Sequence, residues 1–483
     1  MNRLIWKIKR AFIILKQWVI KGIKLQILFF IRSVLLFVYK ATAVFIPLVV
    51  TLLFALVIYD AGFNPFRSHI PVVYRGLIYG FFVLKVLLLI RFITEWIEPK
   101  KGKVHLFSFS LVVLGFVVHS IARKVAGLSA VGTDFFLLYK LVLYAAALFF
   151  FLTEVATVIR FIYFKSLNPS FLFLLSFLLM IVVGALLLTL PNATAHGIHF
   201  IDALFTATSA VCVTGLTVVD TAVDFTMTGK IIILMLIQIG GLGIMTFTGL
   251  LAYIASGSTS FQSQLALKDM VNSNRIGNVI TMIKRIIYVT FTFELIGAVL
   301  IYFSVDNTLF GSTLEAIFFA LFHSVSAFCN AGFSTFSLGL NDPQLKFNYN
   351  LHIWLTLLIL LGGLGFPIVF NFFSWLRIKL INMTNHLLKN EVHISPVRVI
   401  QINSKLAMIT SLFLLIFGFV GYLFFEQQAT LQQHPTWWGK IVTSFFGAVT
   451  PRTAGFNTVD LSVFTMPTVM LYLLLMWIGA SPG

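Results

Sequence analysis

The sequence predicts an all-α integral membrane protein made of repeated units, each with a helix, a re-entrant pore helix and its loop, and a second helix. Three observations predict this class: an apolar composition, long apolar runs and three similar loop segments. Hydrophobic residues make up 59% of the 483 positions and charged residues only 10%, whereas a soluble domain has about 25% charged residues. A helix needs about 20 mostly apolar residues to cross a bilayer. Such apolar runs lie near residues 43–60, 76–95, 104–122, 133–159, 169–191, 226–255, 282–304, 350–375, 405–425 and 465–480.

The distribution of the net charge of +18 predicts the orientation of the chain. Residues 1–40 contain nine Lys and Arg residues and no acidic residue, which places the N-terminus in the cytoplasm by the positive-inside rule. Segments 256–285 and 376–405 are also basic, whereas 192–229 and 305–350 are poor in Lys and Arg. Counting the spans puts the first two segments inside and the last two outside, in agreement with the charges. No basic face with recognition residues is visible, so we expect membrane lipid and no nucleic acid as a partner.

The part of the chain before the similar loops divides into two segments. Residues 1–42 alternate basic and apolar side chains, which predicts an amphipathic helix at the membrane interface. No small-residue cleavage site follows, so we do not expect a removable signal peptide. Residues 43–165 add about four transmembrane helices, and nothing in their sequence assigns them a role.

Three polar loop segments repeat one pattern. Segments 203–215, 320–332 and 443–455 align without gaps when they are set on their final glycines. All three have Phe ten residues before the glycine, and three residues before it the first two have Cys where the third has Arg452. The glycines are 117 and 123 residues apart. Agreement of this kind indicates an internal repeat.

The repeat predicts the domain organisation. Pore repeat 1 covers 166–256, pore repeat 2 covers 280–380, and pore repeat 3 covers 400–483 but is incomplete. Each has a glycine-rich break in its last apolar run, and we interpret Gly240-Gly241 and Gly362-Gly363 mainly as sites of close helix packing. With the same spacing, a fourth repeat would follow the last residue. We therefore expect the chain to be truncated inside its third repeat, with the fourth absent.

The stretch before each glycine is too short to span the bilayer but has the length of a helix that enters the membrane and turns back. Non-helical backbone is tolerated at that depth only where it is buried or lines a wet cavity, so these loops should line a pore. A re-entrant helix entering from outside points its partly negative C-terminal end at the midplane, which favours a cation. Glycine permits positive φ and a close approach of carbonyl oxygens to an ion.

The predicted ion-binding site therefore consists of backbone carbonyls, with the hydroxyls of Thr214 and Thr453 and the amide of Asn330 nearby. Carbonyls that replace a hydration shell are how potassium filters work. The candidate residues are Val213, Thr214, Gly215, Asn330, Ala331, Gly332, Thr453, Ala454 and Gly455.

These loops resemble the pore loops of the Trk/Ktr/HKT superfamily of potassium transporters. The similar motifs are Val-Thr-Gly-Leu-Thr at 213–217, Asn-Ala-Gly-Phe-Ser at 330–334 and Thr-Ala-Gly-Phe-Asn at 453–457. The resemblance covers about 169–483 and implies four pseudo-symmetric repeats around one pore, in a multi-pass protein of a bacterial inner membrane. Glycine at all three visible filter positions goes with potassium preference in the family. A sodium or mixed monovalent cation transporter of the same fold remains the alternative.

The resemblance also implies a gate and partners. The end of the chain resembles the start of an intramembrane loop that gates the pore below the filter; its residues here are Gly479, Ala480, Ser481, Pro482 and Gly483. The family further implies a homodimer on a ring of cytoplasmic nucleotide-binding regulatory subunits. No cofactor is expected, and potassium at the filter residues is the expected metal ion.

A membrane enzyme is a poor match to this sequence. The 16 acidic and 10 His residues form no recognisable catalytic constellation. Cys212 and Cys329 are equivalent positions and are expected to be small packing residues. We expect His323 to hydrogen-bond locally rather than to act as a pH switch.

Several charged residues stand in unusual places. Glu154 and Glu294 lie inside predicted spans, where an ionisable group needs a partner and is a functional candidate. Arg452 would oppose cations if it faced the pore, so we expect it to point into the surrounding protein. Asp220 and Asp460 follow the filter strands, by which we mean the extended segments that contain Gly215, Gly332 and Gly455. There they either concentrate cations at the outer mouth or cap loops.

Overall fold

The structure is a computed structural model, and it describes residues 2–63, 70–97, 110–121, 142–151, 153–154, 169–243, 279–365, 368, 379, 382 and 402–480. The described helices before residue 165 form one compact unit, and those after residue 166 form another. Over these ranges the chain is helical, with a single isolated β-bridge between Thr194 and Phe225. The fold is therefore all-α, as predicted.

The described residues of the first unit form four helices: α1 (Asn2–Phe63), α2 (Ile70–Ile97), α3 (Ser110–Ile121) and α4 (Val142–Phe151). The predicted boundary at residue 42 is not a helix end, because α1 runs unbroken through it. The first proline of the chain is Pro47, so nothing earlier removes a backbone donor. Leu53 of α1 packs where Gly80 of α2 has no side chain.

The second unit contains nine described helices in three sets of three. Each set has a long outer helix, a shorter pore helix and an inner helix, so the predicted order recurs three times. In repeat 1 these are α5 (Pro169–Leu188), α6 (Phe200–Val211) and α7 (Met227–Gly241). In repeat 2 they are α8 (Val279–Ser304), α9 (Thr313–Phe328) and α10 (Tyr349–Gly363). In repeat 3 they are α11 (Ile402–Phe425), α12 (Trp437–Thr453) and α13 (Met466–Ile478).

Side-chain caps fix where the helices begin. Ser312 accepts a hydrogen bond from the Glu315 amide at the start of α9, and Thr436 accepts one from the Gly439 amide at the start of α12. Asn348 caps the inner helix α10 in the same way. Each cap satisfies an amide that has no partner within its own helix. The turn residues that precede these apolar stretches therefore set the helix starts.

Four helices within the described residues are long and apolar enough to cross a membrane: Ser33–Phe63, Arg75–Thr94, Lys284–Ser304 and Lys405–Phe425. Pore helices α6 and α9 are among the shorter apolar helices, and α12 has 17 residues, so all three are shorter than a membrane span, as predicted for segments that enter the membrane and turn back. Of the other predicted spans, 169–191 and 465–480 are described and contain the shorter apolar helices Phe177–Leu188 and Met466–Ile478. The remaining ones, 104–122, 133–159, 226–255 and 350–375, include residues outside the described ranges.

Pore helix α9 packs into two hydrophobic clusters of the second unit. Phe322 and Val325 belong to a cluster with helices of repeat 1, while Phe319 and Phe328 belong to a cluster that reaches repeat 3. Lipid is as apolar as these side chains, so close packing and hydrogen bonds rather than exclusion of water hold such helices together. The second pore helix is thus packed from both sides, which fixes the position of the loop that follows it.

Candidate functional site

The first two loops leave their pore helices in the same backbone conformation. Val213 and Gly215 have φ of 56° and 74°, and Asn330 and Gly332 have φ of 59° and 72°. Among the described residues, Val213 and Asn330 are the only residues other than glycine with positive φ. A β-branched residue is strained in this region, and strain of this kind collects at functional sites. Positive φ recurs at the same place in both loops, with strain at Val213, and this marks the loops as candidate functional segments.

The third loop departs from this pattern by one residue. Pore helix α12 continues to Thr453, and in the loop that follows it, at 453–457, only Gly455 has positive φ, at 74°. In repeat 2 the Ala331 amide bonds the Ser326 carbonyl at 2.7 Å, whereas in repeat 3 the Gly455 amide bonds the Thr450 carbonyl at 3.2 Å. The bond that closes the loop therefore reaches the glycine itself in repeat 3.

Hydroxyl groups of the pore helices hold the filter strands. Ser326 Oγ donates to the Phe333 carbonyl at 2.8 Å, and Thr450 Oγ1 donates to the Phe456 carbonyl at 2.6 Å. Both acceptors belong to the residue just after the filter glycine. In repeat 1, Ser209 Oγ instead accepts from Thr214 Oγ1 at 3.0 Å. Each strand is thus fastened to its own pore helix.

The glycines meet the loop of the next repeat. A Cβ atom placed on Gly215 would overlap the Ala331 carbonyl oxygen, and one on Gly332 would lie 2.5 Å from the Ala454 carbonyl oxygen. The residue that supplies the oxygen stands just before the next filter glycine in both cases. A Cβ on Gly455 would meet no described atom within 4 Å. The loops therefore follow one another in the order of the sequence, and only glycine fits at the first two contacts.

A polar cavity of about 600 Å³ lies over the three glycines. Asp220 and Asp460 line it together with Asn457. Both carboxylates also cap their own loops, since Asp220 accepts from the Ala222 amide and Asp460 from Ser462. Hydrogen bonds from Ser462 are the main reason that the pKa of the exposed Asp460 lies below its usual value. The two alternative roles predicted for these residues are thus compatible.

Polar side chains of the predicted filter bond to protein rather than stand free. Oriented so that both ends of its amide are satisfied, Asn330 donates to Thr453 Oγ1 at 3.3 Å and to the Ile359 carbonyl at 3.2 Å, and accepts from the Gly363 amide at 3.1 Å. Thr214 bonds to pore helix α6, as described above. Backbone carbonyls therefore remain as the groups available to an ion.

His323 bonds locally, as expected. Its Nδ1 lies 3.0 Å from the Phe319 carbonyl oxygen and its Nε2 lies 3.0 Å from Ser334 Oγ. The ring is fully buried. This places a rigid link between pore helix α9 and the strand that follows Gly332.

Glu294 has partners that the sequence could not identify. The side chain is 2% exposed in the middle of α8. Its Oε1 accepts from Gln238 Nε2 at 3.0 Å, and Cys329 Sγ lies 3.8 Å away. The carboxyl group thus connects the inner helix of repeat 1 to the end of pore helix α9. The other candidate, Glu154, interacts electrostatically with Arg91 of α2.

The first glycine of each glycine pair is a packing residue. A Cβ on Gly240 would overlap the Val211 carbonyl oxygen, and one on Gly362 would overlap the Phe328 carbonyl oxygen. Each inner helix therefore lies directly against the last turn of its own pore helix. This supports the packing interpretation of both pairs.

Arg452 lies against protein groups, as expected. Its Nε donates to the Gly479 carbonyl at 3.0 Å and its Nη2 donates to Ser411 Oγ at 3.1 Å. Gly479 ends helix α13 with φ of 66°. Of the predicted gate loop, Gly479 and Ala480 are described, and Ser481, Pro482 and Gly483 lie outside the described residues.

Two polar groups between α11 and α12 were not singled out by the sequence. Glu426 is buried and accepts hydrogen bonds from Thr430 and Thr465, which joins the end of α11 to the start of α13. His434 is buried between Tyr349 Oη, 3.1 Å from its Nδ1, and Thr443 Oγ1, 3.3 Å from its Nε2. An acid directly after an apolar run was the available signal for Glu426.

His434 is expected to make folding stability depend on pH. Burial, and then the charges of Lys346 and Lys440, lower its pKa to about 4, from an unfolded value of about 6.5. Between these values the unfolded chain gains a proton that the folded protein does not, so stability falls as pH drops from about 6.5 towards 4. Between pH 7.5 and 5, the melting temperature of His434→Gln should therefore fall less than that of the wild type. The exposed His199→Gln is the control, and an equal loss in all three proteins would contradict the prediction.

Comparison with known families gives one match over most of the chain. The family model TrkH, described as cation transport protein, matches residues 148–483. The potassium/sodium uptake protein NtpJ of Enterococcus hirae is 35% identical over 323 residues, covering 66% of this chain and 66% of the relative. The Ktr system potassium uptake protein B of Vibrio alginolyticus is 36% identical over 313 residues, covering 64% and 63%. The chain thus spans just under two thirds of the length of these relatives.

Among solved structures, the potassium transporter TrkH from Vibrio parahaemolyticus matches with a TM-score of 0.46 and 17% sequence identity. The match covers 77% of this chain and 70% of that one.

Proposed function

This chain belongs to the TrkH family of cation transport proteins, and we propose that it forms part of the pore of a potassium uptake system. The observation that carries this proposal is the succession of glycine and carbonyl contacts between neighbouring loops. Gly215 meets the Ala331 carbonyl and Gly332 meets the Ala454 carbonyl, both beneath a polar cavity. Carbonyl oxygens brought together in this way can replace the hydration shell of a potassium ion.

The proposed mechanism uses three features of the loops. The C-terminal ends of the pore helices carry partial negative charge and attract a cation. The polar cavity lined by Asp220 and Asp460 holds hydrated ions over the loops. Positive φ at Gly215, Gly332 and Gly455 turns the backbone so that carbonyls replace water around the ion.

We further propose that a fourth repeat completes the ring. Gly455 is the filter glycine without a described neighbour, while Cys212 is exposed although its equivalent, Cys329, lies against Gly241. A fourth unit of the same kind would bring a carbonyl to Gly455 and an inner-helix glycine to Cys212. The loop that begins at Gly479 would then gate the pore below the filter.

The assembly and its location are also proposals. The Vibrio alginolyticus relative is named as one protein of a Ktr system. We propose a homodimer in the lipid of a bacterial inner membrane, with the N-terminus in the cytoplasm and a nucleotide-binding regulatory subunit on that side. The nine Lys and Arg residues within 1–40 support the orientation.

A sodium or mixed-cation transporter is the second candidate. The name of the Enterococcus hirae relative, a potassium/sodium uptake protein, favours it. Glycine rather than serine at position 215 favours potassium, in keeping with the pattern of the superfamily that these loops resemble.

Rubidium uptake in cells that lack their own potassium transporters tests the proposal. The whole protein should transport rubidium, and potassium should inhibit this uptake at concentrations at which sodium does not. Equal inhibition by sodium would favour the second candidate. No uptake by a well-expressed protein would contradict both.

A further inference from the structure

The residue three positions before each filter glycine differs between the repeats. Repeats 1 and 2 have Cys212 and Cys329, whereas repeat 3 has Arg452. Cys329 lies in a tight contact with Gly241 of the preceding repeat. Arg452 instead contacts two helices of its own repeat, through Ser411 on outer helix α11 and through Gly479 at the end of inner helix α13. The third repeat therefore has a link that the other two lack.

This link joins the ends of two helices. Arg452 stands in the last turn of pore helix α12, and the carbonyl that it contacts belongs to Gly479, the residue that ends α13. Both ends carry partial negative charge from unpaired carbonyls, which a cation stabilises. A single guanidinium serves both, because its planar fork offers several donors in fixed directions.

Within the described residues, no acidic side chain neutralises the positive charge of Arg452. The two hydrogen-bond acceptors of Arg452 are a hydroxyl and a carbonyl, and no acidic side chain in the described ranges pairs with it. Arg452 and Ala480 line a cavity of about 410 Å³ whose other lining is mostly apolar, including Leu412 and Leu415. Hydrogen bonds are stronger where the local dielectric is low, so the contact with Gly479 is costly to break.

We propose that Arg452 is a positioning residue that ties the end of inner helix α13 to the third pore helix. It fixes Gly479 and Ala480 relative to the strand that contains Gly455. The inference rests on the proposed function, because only in a pore does the position of this helix end affect ion passage. The filter carbonyls themselves are not contacted by Arg452, so its role is separate from ion selection.

The rate at which a thiol reagent labels Ala480→Cys in the whole protein, with Cys212, Cys329 and any cysteine of the fourth repeat replaced by serine, tests the link. Adding Arg452→Gln should raise this rate about fivefold, since a hydrogen bond contributes about 1 kcal/mol and 1.4 kcal/mol is tenfold. Lys440→Gln removes a positive charge from the same pore helix, with its ammonium over the Trp437 ring, and should leave the rate unchanged.

Arg452→Lys guards against a variant that fails to fold. Lysine keeps the charge but cannot contact Ser411 and Gly479 together in fork geometry, so it should raise the labelling rate by a smaller factor. The preference for rubidium over sodium should stay within about twofold of wild type in both variants, because the filter carbonyls are intact. An unchanged labelling rate would overturn the link. A lost preference would place Arg452 in the filter instead. If the whole protein with Arg452 intact showed no rubidium uptake while labelling still rose in Arg452→Gln, the link would stand and only the proposed function would be contradicted.

Discussion

Gly332→Ser is expected to lower the preference of the whole protein for potassium over sodium by about tenfold or more. The residue has φ of 72°, and its added Cβ would lie 2.5 Å from the Ala454 carbonyl oxygen. An L-residue in the left-handed region costs about 1–2 kcal/mol, and 1.4 kcal/mol is a factor of ten. The overlap must also push the Ala454 carbonyl away from its position. Rubidium uptake with sodium or potassium as competitor measures the change.

Gly197→Ala is the matched control for this substitution. Gly197 also has positive φ, at 81°, but an added Cβ meets no described atom within 4 Å. The control therefore has the backbone strain without the displaced carbonyl. Selectivity close to wild type is expected. If both substitutions reduced selectivity equally, the effect would come from strain and not from the contact between loops.

Gly362→Ala is expected to prevent accumulation of folded protein. An added Cβ would overlap the Phe328 carbonyl oxygen, which belongs to the last residue of pore helix α9. Overpacking a well-packed site costs about 1–3 kcal/mol and occasionally more, and here the neighbour is backbone that cannot rotate away. The yield of monodisperse protein in detergent and its melting temperature measure the effect.

The adjacent glycine provides a close control. At Gly363 the nearest atom to an added Cβ is Thr453 Oγ1, at 3.4 Å, which is an ordinary contact. Gly363→Ala should therefore fold about as well as wild type. A well-folded Gly362→Ala protein with slow transport would contradict the packing role and favour a flexing role for this break.

The sequence predicted the fold because its main signals are local or repeated. Apolar runs and caps such as Ser312 and Asn348 determine the helices, and the alignment on Gly215, Gly332 and Gly455 predicts three equivalent loops. Charge alternation along residues 1–42 reports the environment of a helix and not where it ends, and α1 continues through residue 42.

Contacts between repeats could not be predicted from the sequence, because their partners come together only when the helices pack. Glu294 finds Gln238 and Cys329 only once three helices from two repeats are packed. The amide of Asn330, predicted near the ion, bonds Gly363 and Thr453 because the inner helix ends beside it. The extension of α12 to Thr453 accompanies a change in how Thr450 bonds the loop, and the aligned glycines do not report it.

Binding of potassium by the purified whole protein tests whether these loops form a potassium filter. A ligand that binds only the folded state raises the melting temperature, and at a given concentration the rise is larger for the ligand that binds more tightly. We expect potassium to raise the melting temperature more than sodium at equal ionic strength, and we expect Gly332→Ser to remove this difference while Gly197→Ala keeps it. Equal effects of the two ions on wild type, or a potassium effect that survives in Gly332→Ser, would contradict the assignment of these loops as a potassium filter.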